Sequence, residues 1–332
     1  MNTNLRHGGD LSVAVSAFGV PDDGWLDLST GINPVPYPVP ELPLGIWQRL
    51  PLKADTHRLV DAARRFYNIP DSAALVPAPG TQAIIQWLPA LRERCHVQVI
   101  GPTYEEHAAR WQANGHHIEI IEDIANVDAD ILVIVNPNNP DGRTVAPDVL
   151  LALAETQAAR GGLLIVDEAF ADVMPEISVA MDTGRPGLVV LRSFGKFFGL
   201  AGMRLGFAAG CESDIAPLVD ALGPWCVAGP ALVIGADALG NRDWHEKTRT
   251  RLIADAARLD DVLLAAGLDI VGGTTLFRLA QFADTRALYE KLGHAGILVR
   301  MFDAHPEWLR FGLPGTEYGW QRLEQALAVQ NP

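Results

Sequence analysis

Short apolar runs alternate with longer stretches of mixed polarity through the middle of the chain. Residues 97–100, 131–135, 163–166 and 188–191 are nearly continuous in Val, Ile and Leu. Runs of that length, without polar alternation, suit strands buried on both faces, and so a parallel sheet covered by helices. The stretches 104–114 and 147–160 read as crossover helices, with Pro147 at a first-turn position and Gly161-Gly162 as a C-terminal stop. This alternation predicts an open α/β sheet.

The pattern differs at both ends. The first 50 residues are irregular and dense in proline from Pro34 to Pro43, although Trp25, Leu26, Leu28 and Ile32 give them anchors to pack with. After Gly240 a long amphipathic stretch, 244–266, predicts a helix. Strand-like runs follow at 275–279, 297–301 and 308–311, then a final helix over 321–329. The expected organisation is an N-terminal segment over 1–45, a large domain over 46–240 and a small α+β domain over 241–332. No internal repeat or low-complexity tract interrupts it.

Composition narrows the possible partners. A length of 332 residues suits about two domains. The chain carries 26 basic against 40 acidic residues, a net charge of -14. Nucleic acid and anionic membrane both call for a basic surface, so neither is expected as a partner. An anionic ligand would need a local cationic cluster. Cys95, Cys211 and Cys226 form neither a disulfide framework nor a zinc knuckle, and each is expected to pack as a small hydrophobe. His116-His117 and the other histidines lack metal-ligand spacing, so no metal is expected. No apolar run reaches the roughly 20 residues of a membrane span, and the polar first ten residues lack a signal-peptide core, so a cytoplasmic protein is expected.

Candidate chemistry lies where open α/β sheets bind ligands, beyond the carboxyl ends of the strands. After 131–135 comes Asn136-Pro137-Asn138-Asn139-Pro140-Asp141-Gly142, and after 163–166 comes Asp167-Glu168-Ala169-Phe170. After 188–191 comes Arg192-Ser193-Phe194-Gly195-Lys196, followed by Gly199-Leu200-Ala201-Gly202-Met203-Arg204. Asn-Pro alone makes turns and Asp alone caps helices. Asn, Asp and Lys on three successive strand ends are harder to explain that way. Lys196 is one of only four lysines; Lys53, Lys247 and Lys291 sit beside or near acidic residues, whereas Lys196 sits among Phe194, Phe197 and Phe198. Desolvation there disfavours its charged form and favours a reactive amine. There is no G-x-G-x-x-G, no Walker loop and no G-x-S-x-G.

At these residues the sequence resembles the fold-type I pyridoxal-phosphate enzymes of the class I/II aminotransferase group. The likeness rests on Asn138-Asn139-Pro140-Asp141-Gly142, Val166-Asp167-Glu168-Ala169-Phe170 and Ser193-Phe194-Gly195-Lys196 with Arg204-Leu205-Gly206-Phe207, and runs from about residue 25 to the end. It implies an α/β fold with a large domain that binds pyridoxal 5'-phosphate (PLP), built on a mostly parallel sheet covered by helices, and a smaller α+β domain. It also implies an N-terminal segment covering the active site, and a homodimer.

The resemblance assigns roles residue by residue. Lys196 would hold the cofactor through its amine and later shuttle a proton. Asp167 would sit against the pyridine nitrogen, Asn139 would donate to the phenolate oxygen, and Tyr104 would stack on the ring. Gly80, Thr81 and Gln82 open a helix whose amides would face the phosphate, with Ser193 and Arg204 completing the cup. Arg310 matches an arginine that forks onto the substrate carboxylate, and Arg300 one that contacts a substrate phosphate. His7, Gly8 and Asn33 would close over the substrate. Both arginines lie in apolar strand-like runs, where an unpaired charge is costly.

His7-Gly8-Gly9-Asp10 and the stretch from Leu26 to Pro34 are similar to a branch of the group that decarboxylates a small phosphorylated amino acid. The implied reaction is conversion of L-threonine O-3-phosphate to (R)-1-aminopropan-2-yl phosphate in cobalamin biosynthesis. The alternative is an aminotransferase for a phosphorylated amino compound such as histidinol phosphate; a non-catalytic scaffold is a third possibility, against which the intact Lys196, Asp167, Asn139 and Arg204 argue. Two positions depart from the group. Phe170 stands where a tyrosine usually bonds the phenolate oxygen, which leaves Asn139 more of that task and should raise the pKa of the cofactor–lysine linkage. Region 50–58 lacks the tyrosine usually sent to the partner subunit's phosphate site, and His57 or Arg58 is the candidate to replace it.

Overall fold

The computed structural model describes residues 8–125 and 127–328. They divide into two compact units, one of residues 37–139 and 143–245, the other of residues 8–36, 140–142 and 246–328.

The first unit is built on a seven-stranded sheet. Its order is Ala74–Ala78, Gly206–Gly210, Leu188–Ser193, Leu163–Asp167, Ile131–Val135, His96–Ile100 and His117–Ile121. All neighbours pair in parallel except those flanking Gly206–Gly210, which runs antiparallel to both. Every residue of Ile131–Val135, Leu163–Asp167 and Leu188–Ser193 is buried, including the polar ends Asp167 and Arg192-Ser193 that follow their apolar runs. Helices Leu44–Gln48, Lys53–Phe66, Thr81–Ala90, Glu106–Ala113, Pro147–Ala159, Glu212–Leu222 and Gly229–Gly240 belong to the unit. Ile84, Leu88 and Trp111 pack with Val97, Val99, Val133, Ile165 and Val189 in one core cluster.

Register places the chemistry. Val135 pairs with Asp167, and Asp167 with Leu191, so these parallel strands end together. The antiparallel strand begins where they end, because Ser193 pairs with Gly206, and Gly206 also pairs with Ala78. The turns holding Asn139, Lys196, Arg204 and Gly80 therefore leave from one edge of the sheet.

The second unit carries a four-stranded antiparallel sheet ordered Arg300–Phe302, His305–Gly312, Phe277–Gln281 and Asp269–Thr274. Leu26–Asp27 pairs in parallel with Ile297–Leu298. Helices Thr285–His294, Glu317–Leu327 and most of Arg242–Ala265 belong here. The N-terminal region is less irregular than expected, since Leu11–Phe18 is a helix capped by Asp10, whose carboxylate accepts the Ser12 amide at 3.0 Å. Among the described residues no helix is long and apolar enough to cross a membrane.

The short segment 140–142 belongs to this unit through a close backbone approach. A Cβ on Gly142, whose φ is +73°, would lie 2.0 Å from the Gly273 carbonyl oxygen. Gly142→Ala is expected to cost at least about 2 kcal/mol, from left-handed strain plus backbone collision. Gly161 has the same φ of +73°, but a Cβ there would meet nothing within 4 Å, so Gly161→Ala isolates the strain. Urea denaturation should find Gly142→Ala clearly the less stable; equal midpoints would refute the collision.

Candidate active site

At the strand-end edge of the first unit, Gly80, Thr81, Gln82, Tyr104, Asn139, Asp167, Ser193, Lys196 and Arg204 line one cleft of about 160 Å³, together with Val135, Ala169, Phe170 and Leu205. The sequence therefore named every polar side chain that lines it.

One end of the cleft is built for an anion. Helix Thr81–Ala90 has no side-chain cap at its N-terminus, so its first amides are left for another acceptor. Gly80 precedes them with φ +82°, and a Cβ there would lie 2.7 Å from the Arg204 guanidinium. Only glycine gives both the turn and the room for that charge. Arg204 adopts a left-handed conformation, φ 50° and ψ 62°, and donates to the Ala201 carbonyl at 3.2 Å. Ser193 ends its strand beside this cup.

The other end is built around a buried carboxylate. Asp167 accepts from His107 Nε2 at 2.8 Å and from the Ala169 amide at 3.0 Å. The carboxylate can only accept, so His107 carries its proton on Nε2. Lys196 places its amine 5.5 Å from the centre of the Phe170 ring. Tyr104 donates to Gln82 Oε1 at 3.1 Å. Burial first, then Glu106 and Asp167, push its hydroxyl up to about 12, against the opposing pull of Arg204, so it stays neutral.

A buried ionic cluster lies behind the cleft. Arg192 pairs with both Glu168 and Asp172, and Glu168 also accepts from the Val179 amide at 2.7 Å and Ser178 Oγ at 2.5 Å. Burial pushes the Glu168 carboxyl up, against Arg192 and its hydrogen bonds. Two carboxylates hold the Arg192 guanidinium above its ordinary value although burial opposes them. Glu168 follows Asp167 and Arg192 precedes Ser193, so the cluster clamps the two strand ends that carry site residues.

The remaining expected site residues lie in the second unit or outside the described residues, as His7 does. Arg300 and Arg310 are cross-strand partners. Arg310 is buried and donates to the Ser29 carbonyl at 2.8 Å. Burial first, and the neighbouring Arg300 charge second, lower it to about 10, with Asp27 opposing. Two adjacent guanidiniums, one of them buried, form a site that favours an anion. Gly8 packs on the same residue 29, where a Cβ would lie 2.3 Å from the carbonyl oxygen. Asn33 is buried and accepts from Arg251 Nη2 at 2.6 Å and from the Val35 amide at 3.1 Å. Of the two candidates to replace the missing tyrosine, Arg58 is ion-paired with Asp237.

Sequence inspection missed His107, Glu168 and Arg192. His107 had a signal, since it lies three residues after Tyr104 at the start of a helix, the spacing that brings two side chains to one side. Glu168 and Arg192 had only their adjacency to Asp167 and Ser193.

Residues 53–327 match the family of aminotransferases of class I and II. A threonine-phosphate decarboxylase from a Sinorhizobium species is 44% identical over 332 residues, covering 99% of each chain. One from Pseudomonas aeruginosa is 44% identical over 328 residues, covering 97% of each. In fold, the chain is similar to histidinol-phosphate aminotransferase from Sinorhizobium meliloti in complex with pyridoxal-5'-phosphate, with a TM-score of 0.82 at 17% identity, over 95% of this chain and 92% of that one. The α/β fold expected from the strand pattern is thus also that of these relatives, and the chain belongs to the class I and II aminotransferase family.

Proposed function

We propose that this chain catalyses the PLP-dependent decarboxylation of L-threonine O-3-phosphate. The observation that carries the proposal is the 44% identity, over 99% of both chains, to a threonine-phosphate decarboxylase. The cleft supports it chemically, because an amine, a buried carboxylate, an aromatic face and an anion cup are gathered around one ring-sized space.

The donor set fits PLP. The uncapped helix start, Arg204 and Ser193 would take its phosphate. Asp167 would keep the pyridine nitrogen protonated, and His107 holds that carboxylate in place. Asn139 would donate to the phenolate oxygen, a task Phe170 cannot share for lack of a hydroxyl. Lys196 would hold the cofactor covalently. Bound there, PLP supplies an electron sink for a bond broken at the substrate's Cα. Lys196 would then move a proton at that carbon. Arg310 would fork onto the substrate carboxylate and Arg300 would meet the phosphate, and the orientation they impose selects which Cα bond is activated. Their shared strand register makes them act as a pair.

The family resemblance further implies a homodimer. Leu44, Trp47, Leu50 and Leu52 are each at least half exposed along one short stretch, a cost in water that a second copy would remove.

Incubation of the purified protein with L-threonine O-3-phosphate and PLP should release CO2 without any added keto acid. Turnover only in the presence of a keto acid, with the carboxylate retained, would instead make the chain an aminotransferase.

A further inference from the structure

Gln82 contributes its backbone to the anion cup, yet its side chain is engaged elsewhere. Its Nε2 lies 2.6 Å from Glu106 Oε2. A carboxylate offers no proton, so the Gln82 amide must turn its NH2 group toward Glu106. That orientation leaves Oε1 facing the Tyr104 hydroxyl, 3.1 Å away, and makes the tyrosine the donor. Glu106 is itself buried, at 6% exposure, with Arg110 Nε 3.3 Å away one turn along the same helix. Its charge is therefore fixed in position. The Tyr104 ring is thus held at its hydroxyl by Gln82, while the His107 ring meets it edge-on at 6.1 Å and 84°.

We infer that Glu106 is a positioning residue for the cofactor: by fixing the polarity of the Gln82 amide it sets the tilt of the Tyr104 ring that stacks on PLP. Glu106 does not line the cleft and acts only through Gln82. The inference rests on the cleft being a PLP site.

The predicted signature is spectroscopic and epistatic. Each variant is titrated with PLP, following the visible absorbance and the visible circular dichroism of the bound cofactor. Glu106→Ala frees the amide to rotate and should weaken PLP by about five-fold, the worth of one ordinary hydrogen bond. It should also reduce the dichroic band. Glu106→Gln can still accept from the Gln82 NH2 group but can also donate to its Oε1, so it no longer fixes the amide's polarity and should restore both only in part. Gln82→Met should reproduce Glu106→Ala without emptying the carboxylate site. In a Tyr104→Phe background, Glu106→Ala should add nothing, since no hydroxyl remains to be held.

An Ala effect of equal size in the Tyr104→Phe background would overturn the inference, as would complete restoration of the band by Glu106→Gln, which would show that the polarity of the amide is immaterial. If wild type binds PLP and Tyr104→Phe weakens it while Glu106→Ala is silent, the inference falls and the PLP assignment stands. If wild type takes up no PLP, both fall.

Discussion

Lys196→Ala should abolish the visible absorbance of the PLP-loaded protein and lower turnover by about 10³-fold or more, since one side chain doing acid–base work is worth about 10²–10⁴ and this one would also carry the covalent link. The lysine usage of the chain makes the experiment clean. Lys53, Lys247 and Lys291 are exposed, and Lys196 alone lies in the cleft, half-buried beside Phe170 and facing the same space as Asp167 and Asn139. Borohydride reduction of the loaded wild type, followed by peptide mapping, should therefore place the reduced cofactor on the peptide containing residue 196 and on no other. Lys196→Arg keeps a cation of similar reach but no nucleophilic amine at neutral pH, so it should behave like the alanine variant in turnover. A label spread over the exposed lysines, or a Lys196→Ala protein that stays coloured, would remove the basis for every cofactor role argued above.

Why the cleft could be read from sequence and its support could not has a physical answer. Asn139, Asp167 and Lys196 each follow an unbroken apolar strand, and a parallel sheet brings such positions to one edge whatever the rest of the fold does. The helices 104–114 and 147–160 were legible to within two residues at each end, observed as Glu106–Ala113 and Pro147–Ala159. The antiparallel strand Gly206–Gly210 was not, because its sequence GFAAG carries no β-branched residue; its place is set by neighbours on both sides. Helix Gly229–Gly240 hid in the same way, since a helix buried nearly all round shows no polar face and its glycines look like breaks. In the second unit the run 297–301 splits into Ile297–Leu298 and Arg300–Phe302, which belong to different sheets. Arg300 and Arg310 were legible as charges out of place in apolar runs; their cross-strand pairing was not, because register depends on a turn the pattern does not mark.

Arg192→Met is expected to destabilise the protein by about 3–5 kcal/mol near pH 7, the usual cost of leaving buried charge without its partner. Arg192, Glu168 and Asp172 are each at most 3% exposed as whole residues, so water cannot take over when the guanidinium is removed. The sign of the pH dependence follows from Glu168. Its carboxyl already titrates above its ordinary 4.5 because burial outweighs Arg192 and the hydrogen bonds. A carboxyl raised in the folded state opposes folding at pH above that value and stops opposing it as pH falls and the group protonates. Loss of Arg192 raises Glu168 further, so the penalty reaches to higher pH and the variant's deficit should shrink between pH 7 and pH 5. Thermal unfolding of both proteins, with PLP at equal saturation, reads this directly. Adding Glu168→Gln to the variant should recover part of the loss at pH 7 and flatten the pH dependence, because a neutral amide no longer needs the cation. A deficit that is constant or grows toward pH 5 would mean that Arg192 acts through packing on Tyr67, whose ring centre lies 4.4 Å from the guanidinium, and not through charge.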